Sequence, residues 1–596
     1  MILKKLKQKK GITLISLVVT IIVLMILAGV SINLLFGQYG VVTRAQDAKK
    51  QTQVASITEN IKLELLDKQI DERNTLTQTQ IEEVLLKYGT VNKNEDGSIK
   101  SITTNEGKYE IAFEDLYEGE VIKTYNKAQN VNTPELLTGM SPIKFTEATE
   151  TSEGKTVTTN ASDESWYNYT DKKWANAQTE DGSMWVWIPR YAYKLNSNTQ
   201  TADIVFLIGT ENKYYDETSD AIKDATAEGY TVHPAFTTDI ANGGWDKELT
   251  GIWVAKFEAG YASGGNTATV KASNVPYTEK TSYVWKTEAG TTNDSTQPAR
   301  NWLDGIYAVQ NGSDYEWKNG TQTAIKYPVF QGSTYSMNYI NHSDAFSISK
   351  ALTDGGNIYG LSSANADSHL MKNSEWGAVA YLSKSKYGLE STDIAVNSKT
   401  LDNSVASIYA VTGYNNNNNK WNEYIGTNLS SSTTGNIYGI YDLSGGTYER
   451  TAGIVSNGNG NLYGYGKAII DEAKVTYTVN EETGKVTVNR NTGSSTKYAT
   501  IYPNNDEGQS NLNTASQRNY EANASIYGDS IRETSTEGTL STSWYSDCSY
   551  FPALTDQFFL RGGFWGDGSG AGLFYFSRLN GNSSYNGGFR AVLVAR

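Results

Sequence analysis

At 596 residues the chain has room for roughly two to four domains, and its 38% apolar content is low but compatible with globular cores. A net charge of −14 and a pI near 5.0 exclude the basic footprint that phosphate backbones require, so nucleic acid is not an expected partner. The single cysteine, Cys548, excludes an intramolecular disulfide framework and a cysteine-rich zinc site, while 40 Tyr and 13 Trp beside 54 Gly suit recognition surfaces that combine rigid aromatics with adaptable polar contacts.

Residues 1–11 form a basic leader containing Lys4, Lys5, Lys7, Lys9 and Lys10, and an apolar run without a charged residue follows from Ile12 to Leu35. As a helix that run would be about 36 Å long, enough to span the roughly 30 Å hydrocarbon layer of a bilayer. The lysines would hold its start on the cytoplasmic side, which makes the cytoplasmic membrane an expected partner. The run continues through Gly37 and Gly40 into an amphipathic stretch from Val41 to Leu66, so cleavage behind it by signal peptidase is not expected.

Gly11 followed by Ile12-Thr13-Leu14-Ile15-Ser16-Leu17-Val18-Val19 resembles the start of type IV prepilins over about the first 60 residues. The resemblance implies that prepilin peptidase cuts after Gly11, that Ile12 becomes the mature N-terminus, and that other pilins are partners. Family members usually carry a glutamate at the fifth mature position, whereas this chain has Ser16, which suggests a minor, tip or non-polymerising subunit. A plain uncleaved signal anchor is the alternative.

Further along, the pattern predicts a helix over Gln78 to Tyr88 and a hairpin over Ser98 to Phe113 turning at Asn105-Glu106-Gly107, so that 12–66 is a long helix and 67–122 a small head. Residues 123–164 are rich in Thr, Asn, Ser and Glu and read as a linker. The rest, 165–596, has short apolar bursts broken by Gly and Asn, with a single convincing helix over Asn373 to Ser385. Asn373 or Ser374 is the expected cap, and Trp376 the core anchor. Asn415 to Asn419 and Asn504 to Gln517 read as insertions, and Val475 to Val488 as a hairpin around Glu481-Glu482-Thr483-Gly484.

Four segments in this region, in order, resemble the formylglycine-generating-enzyme branch of the C-type lectin fold. They are Gly251-Ile252-Trp253-Val254-Ala255-Lys256-Phe257-Glu258, then His369 to Ala380 centred on Glu375-Trp376, then Ile440-Tyr441-Asp442-Leu443-Ser444-Gly445-Gly446-Thr447-Tyr448-Glu449, and finally Leu560 to Trp565 with Gly588 to Leu593. Asp181 to Arg190 fits an opening strand of the same domain. The resemblance implies an α+β protein: a pilin-like transmembrane helix with a small head, joined to a large, irregular C-type-lectin-like domain.

The family's oxidases need a cysteine pair for copper, and Cys548 alone cannot supply it. His233, His342 and His369 are too far apart for a histidine cluster, so no catalytic residue and no enzyme activity is expected. No cofactor is expected beyond a structural calcium, for which the resemblance offers Glu449; Gly446 replaces the Asn that the family usually carries nearby.

The C-terminal stretch resembles the variable region of proteins diversified by a retroelement. That resemblance implies a ligand-binding face made of Trp565, Asp567, Ser569, Phe574, Tyr575, Phe576, Asn580, Asn582, Ser583, Ser584, Tyr585 and Asn586, with an unidentified protein or glycan as ligand. The resulting expectation is an adhesion or receptor protein at the cell membrane or on a pilus, its C-terminal domain outside a Gram-positive cell. A minor pilin or pseudopilin subunit and, further off, an enzyme of the lectin-fold superfamily are the alternatives.

Overall fold

The structure is a computed structural model that describes residues 18–27, 41–71, 76–94, 98–117, 121–122, 125–146, 156–238, 243–260, 283–285, 306–311, 314–319, 328–332, 336–337, 340–397, 412–413, 429–489, 497–505, 511–524, 529–582, 584 and 586–596. The basic leader, Gly11, Ile12 and the Asn415 to Asn419 stretch lie outside the described residues. The chain divides into two compact units, Met1–Lys123 and Thr124–Arg596.

In the first unit, residues 18–27 form helix α1, whose apolar side chains from Val18 to Leu27 are exposed. Among the described residues no helix is long and apolar enough to cross a membrane; the rest of the apolar run lies outside them. Helix α2 (Val41–Asp71) continues five residues beyond the predicted end at Leu66, and α3 (Gln78–Tyr88) spans the predicted range. Ile81, Val84 and Leu85 recur at helical spacing on α3 and are buried in one cluster with Ile61 and Leu65 of α2. Strands β1 (Gly89–Lys93), β2 (Ile99–Thr104) and β3 (Glu110–Ala112) complete the head as an antiparallel sheet, with Ile99, Ile102 and Ile111 facing the helices' core.

The elements of the second unit that build its two main sheets include, in chain order, β4 (Ser141–Phe145), β5 (Thr156–Thr158), β6 (Asn176–Gln178), β7 (Met184–Pro189) and β8 (Gly251–Ala255). Next come α4 (His342–Lys350), β9 (Ala366–Leu370), α5 (Asn373–Ser383), β10 (Tyr448–Val455) and α6 (Gly460–Glu472). Strands β11 (Thr476–Val479), β12 (Val486–Asn489) and β13 (Thr500–Tyr502) lead to α7 (Leu512–Ala524) and α8 (Ser530–Thr534). The chain closes with β14 (Phe558–Gly562), β15 (Gly572–Leu579), β16 (Gly587–Phe589) and β17 (Ala591–Ala595). The molecule is therefore α+β.

Two sheets organise this unit. The larger has seven strands in the order β9-β17-β8-β7-β6-β4-β5. Its middle strands are buried along their whole length, which is why β7 reads Met-Trp-Val-Trp-Ile-Pro without alternation: both faces are covered. Trp187 and Trp253 sit directly opposite on β7 and β8, with ring centroids 5.2 Å apart, and this cross-strand aromatic pair fixes the register. The smaller sheet runs β13-β10-β14-β15, with β16 parallel to the start of β10.

Several expectations need correction. The stretch read as a linker, 123–164, carries β4 and β5 of the large sheet, and Val131, Leu137, Met140 and Ile143 are buried. Its polar composition hides apolar residues spaced too irregularly to show a period. Residues 504–517 are not a plain insertion: Asn504 is buried, and α7 starts at Leu512. Besides α5, the region contains α4, α6, α7 and α8. At the start of α5 neither Asn373 nor Ser374 is the cap; Glu375 reaches back to accept the Lys372 N–H at 2.8 Å.

Candidate functional site

Strand β15 is covered on both faces, so Phe574, Tyr575 and Phe576 are 0–4% exposed and belong to the framework, not to an exposed ligand-binding face. Phe574 packs against Trp544 at 5.1 Å and Tyr545 at 6.2 Å, while Phe576 packs against Phe551 at 6.4 Å. Trp565, Asp567, Asn580, Asn582, Ser584 and Asn586 are half-exposed and Ser569 is exposed; Ser583 and Tyr585 lie outside the described residues.

These positions fall at two places. Gly562 pairs with Gly572 at one end of the β14–β15 ladder, and Phe558 with Leu579 at the other, so Trp565, Asp567 and Ser569 follow the first end and Asn580 and Asn582 the second. The chain then returns along β10, where Tyr448 is opposite Gly587 and its N–H donates to the Asn586 carbonyl at 2.7 Å. Trp565, Asp567 and Asn586 are thus gathered around Tyr448, whereas the Asn582 carbonyl accepts from buried Arg450 at 2.6 Å.

The Tyr448 cluster depends on a tight exit from β14. Gly562 and Gly563 have φ of 79° and 75°, and a Cβ on Gly563 would meet Ala571 at 2.6 Å, so this turn requires glycine. It places Phe564 4.8 Å from Tyr448 and Trp565 4.7 Å from Phe564. Tyr575 stacks on Tyr448 from below at 5.7 Å. The Tyr448 hydroxyl donates to Asp567 Oδ1 at 3.2 Å, and the Phe564 N–H donates to Asp567 Oδ2 at 3.2 Å. Burial raises the Asp567 carboxyl above its usual range and pushes the nearby Cys548 thiol up to about 11, which leaves it protonated and unreactive at neutral pH. Tyr448 and Phe564 are not among the residues expected on the binding face; the signal for them is their place in the third and fourth family-like segments, Tyr448 just before Glu449 and Phe564 just after Gly562-Gly563.

Beneath this surface lies a layer of buried charge. Glu449, expected as a calcium ligand, has both oxygens taken by Arg590, with Nε to Oε2 at 3.0 Å and Nη2 to Oε1 at 2.6 Å. Arg590 also donates to the carbonyls of Ala255 at 2.6 Å and Tyr441 at 2.8 Å. Among the described residues no group of three or more His, Cys, Asp or Glu is arranged to hold a metal ion. The glycine at 446 has a steric cause: it adopts φ 74°, and a Cβ there would lie 2.9 Å from Glu258 Oε1. Glu258 is fully buried and accepts from the Ser336 and Thr447 hydroxyls. Asp442 accepts from the Gly413 N–H at 2.8 Å and from Asn397 at 2.9 Å.

Burial, and then the neighbouring Asp442 and Glu449 carboxylates, hold the Glu258 carboxyl well above its usual range. A folded-state pKa above the unfolded one stabilises fully below the unfolded value, and that stabilisation is lost as pH rises through the folded value. Glu258→Gln is therefore expected to gain on the parent as pH rises above about 4.5, by at most about 1.4 kcal/mol per pH unit for one proton. Urea unfolding of both proteins across pH 4.5 to 9 would measure the gap, and a constant gap would show that Glu258 does not hold its proton.

The three histidines lie apart and are buried. His233 and His342 are pushed down to about 3 by burial, His342 Nε2 lies 2.7 Å from the Thr451 carbonyl, and His369 pairs with Glu375 at 2.9 Å. No protein-family model matches the chain, and no curated protein matches it.

Proposed function

We propose that this chain is a cell-surface or pilus-associated ligand-binding protein, held by a pilin-like N-terminal helix and presenting a C-type-lectin-like domain whose C-terminal turns form the binding face. The observation that carries the reading is the division within residues 565–586: aromatic residues of β15 are locked in the framework, while Trp565, Asp567, Ser569, Asn580, Asn582, Ser584 and Asn586 remain accessible on the segments around it. A rigid strand bordered by accessible Asn, Ser and aromatic side chains is a scaffold for recognition.

Support for the fold comes from the placement of the four family-like segments. The first and last meet in the large sheet, where Trp253 is opposite Leu593, and the third meets the fourth where Glu449 is opposite Arg561. Support for the anchor comes from α1, whose valines, leucines and isoleucines are 45–59% exposed and thus suited to a lipid environment. The long α2 leading into a small α/β head favours a minor pilin role, which is compatible with ligand binding.

Sequencing the 3′ end of the gene and its downstream neighbourhood in a cell population tests the reading. The expected result is a near-copy of the region encoding 562–590 and substitutions that spare Phe574 and Phe576 but reach the codons of the accessible residues. An invariant end without a template copy would leave a fixed-specificity adhesin, and protease shaving of intact cells that released no fragment of the C-terminal unit would overturn surface display.

A further inference from the structure

Inside this molecule, carboxylates set beside aromatic faces repeatedly share a lysine. Lys384 Nζ lies 3.6 Å from the centre of the Tyr545 ring and 3.6 Å from Asp393. Lys372 Nζ lies 3.9 Å from the Trp245 ring centre and 3.4 Å from Glu375. Lys350 Nζ lies 3.1 Å from the Tyr498 ring centre and 3.5 Å from Glu472, and the Tyr498 hydroxyl donates to a further carboxylate, Asp367, at 2.5 Å. The chemistry is general: a ring face carries negative quadrupole density, and a carboxylate beside it adds a full charge, so a cation satisfies both.

Among the described residues, Asp567 with Tyr448 and Phe564 has the same parts without the cation. Asp567 is half-buried and its partners are the Tyr448 hydroxyl, the Phe564 N–H and Tyr575; no lysine, arginine or histidine pairs with it among the described residues. Tyr448 and Phe564 are half-exposed, so part of each ring and the carboxylate remain within reach of a partner. A carboxylate that has lost much of its hydration and gained no counter-charge is an electrostatic vacancy.

We infer that the Tyr448–Phe564 surface with Asp567 receives a lysine or arginine side chain of a protein ligand. The inference rests on the binding-face reading above and gives that face a ligand class. Charge complementarity favours it over a neutral glycan: the chain's net charge is −14, and the charged group of the cluster is a carboxylate with no counter-charge among the described residues.

The test uses the detergent-solubilised full chain captured on a sensor, with a glycine-lysine repeat peptide as probe and its lysine-acetylated twin as the neutral control. The expected result is binding of the charged peptide alone, weakened about tenfold by Asp567→Asn and left unchanged by Glu481→Gln, which removes the same charge from a distant exposed turn. Asn keeps an acceptor for the Phe564 N–H, so the unfolding temperature should stay within error. Equal binding of the two peptides overturns the inference, as does an equal effect of the two substitutions, which would mean diffuse attraction to an acidic protein. Glycan-array binding that Trp565→Ala abolishes and Asp567→Asn spares would overturn the cationic ligand while keeping the binding face; a face that retains its ligand in both variants would sink the binding-face reading itself.

Discussion

A Glu449→Gln variant is expected to lose about 3–5 kcal/mol of unfolding free energy, because it strands the Arg590 guanidinium in an interior that excludes water. Both partners are buried, at 1% and 0% exposure, and two hydrogen bonds join them in fork geometry. Burial nevertheless pushes the Glu449 carboxyl up to about 6, even against the opposing pull of Arg590, so desolvation remains the larger effect. The pair is therefore expensive to break without being a large net source of stability. Replacing both partners, as in Glu449→Leu with Arg590→Met, should cost clearly less than the single change. Urea unfolding of the full chain, followed by a signal from the C-terminal unit, would measure both. A loss below about 1 kcal/mol for the single variant would mean that Arg590 finds water, and that the layer under the Tyr448 cluster is wet.

That layer explains which parts of the site were visible in the sequence. The hairpin over 475–488 and α5 follow from local pattern, and the strand at Gly251–Ala255 from the family resemblance, whereas the positive φ at Gly562-Gly563 did not show in the sequence. The burial of Phe574, Tyr575 and Phe576 did not follow. Three adjacent aromatics read as an exposed cluster, yet Trp544 and Phe551 from the segment before β14, and Tyr381 from α5, pack against Phe574 and Phe576, and no local spacing announces those contacts. Helix α7 was concealed for the opposite reason. Asn519 is buried, yet its amide is satisfied by Asn504 at 2.7 Å and by the Pro552 carbonyl at 3.1 Å, so a polar sequence forms an interior element. The role of Glu449 depended on a partner 141 residues away, which no local spacing identifies.

The second large effect is expected at Trp376, where truncation to Ala should cost about 3–5 kcal/mol. Its indole is 1% exposed on a helix buried on every side, its Nε1 donates to the Leu573 carbonyl at 2.7 Å, and the Arg561 guanidinium sits 5.2 Å from the ring centre. Removing the ring opens a cavity, leaves Arg561 without its aromatic neighbour and takes the strongest donor from the Leu573 carbonyl, to which Arg561 donates at 3.3 Å. A Cβ on Gly562 would lie only 3.2 Å from the Trp376 ring, so the indole also supports the turn that carries Phe564 and Trp565 to Tyr448. Trp376→Phe keeps most of the volume and removes the N–H, and should cost about 1–3 kcal/mol. Urea unfolding should rank parent, Phe and Ala in that order, and hydrogen exchange should show the amides of β14 and β15 opening first in the Ala variant. Equal losses in the two variants would assign the whole effect to the hydrogen bond; protection of β14 unchanged in the Ala variant would show that the turn is held from the Tyr448 side instead.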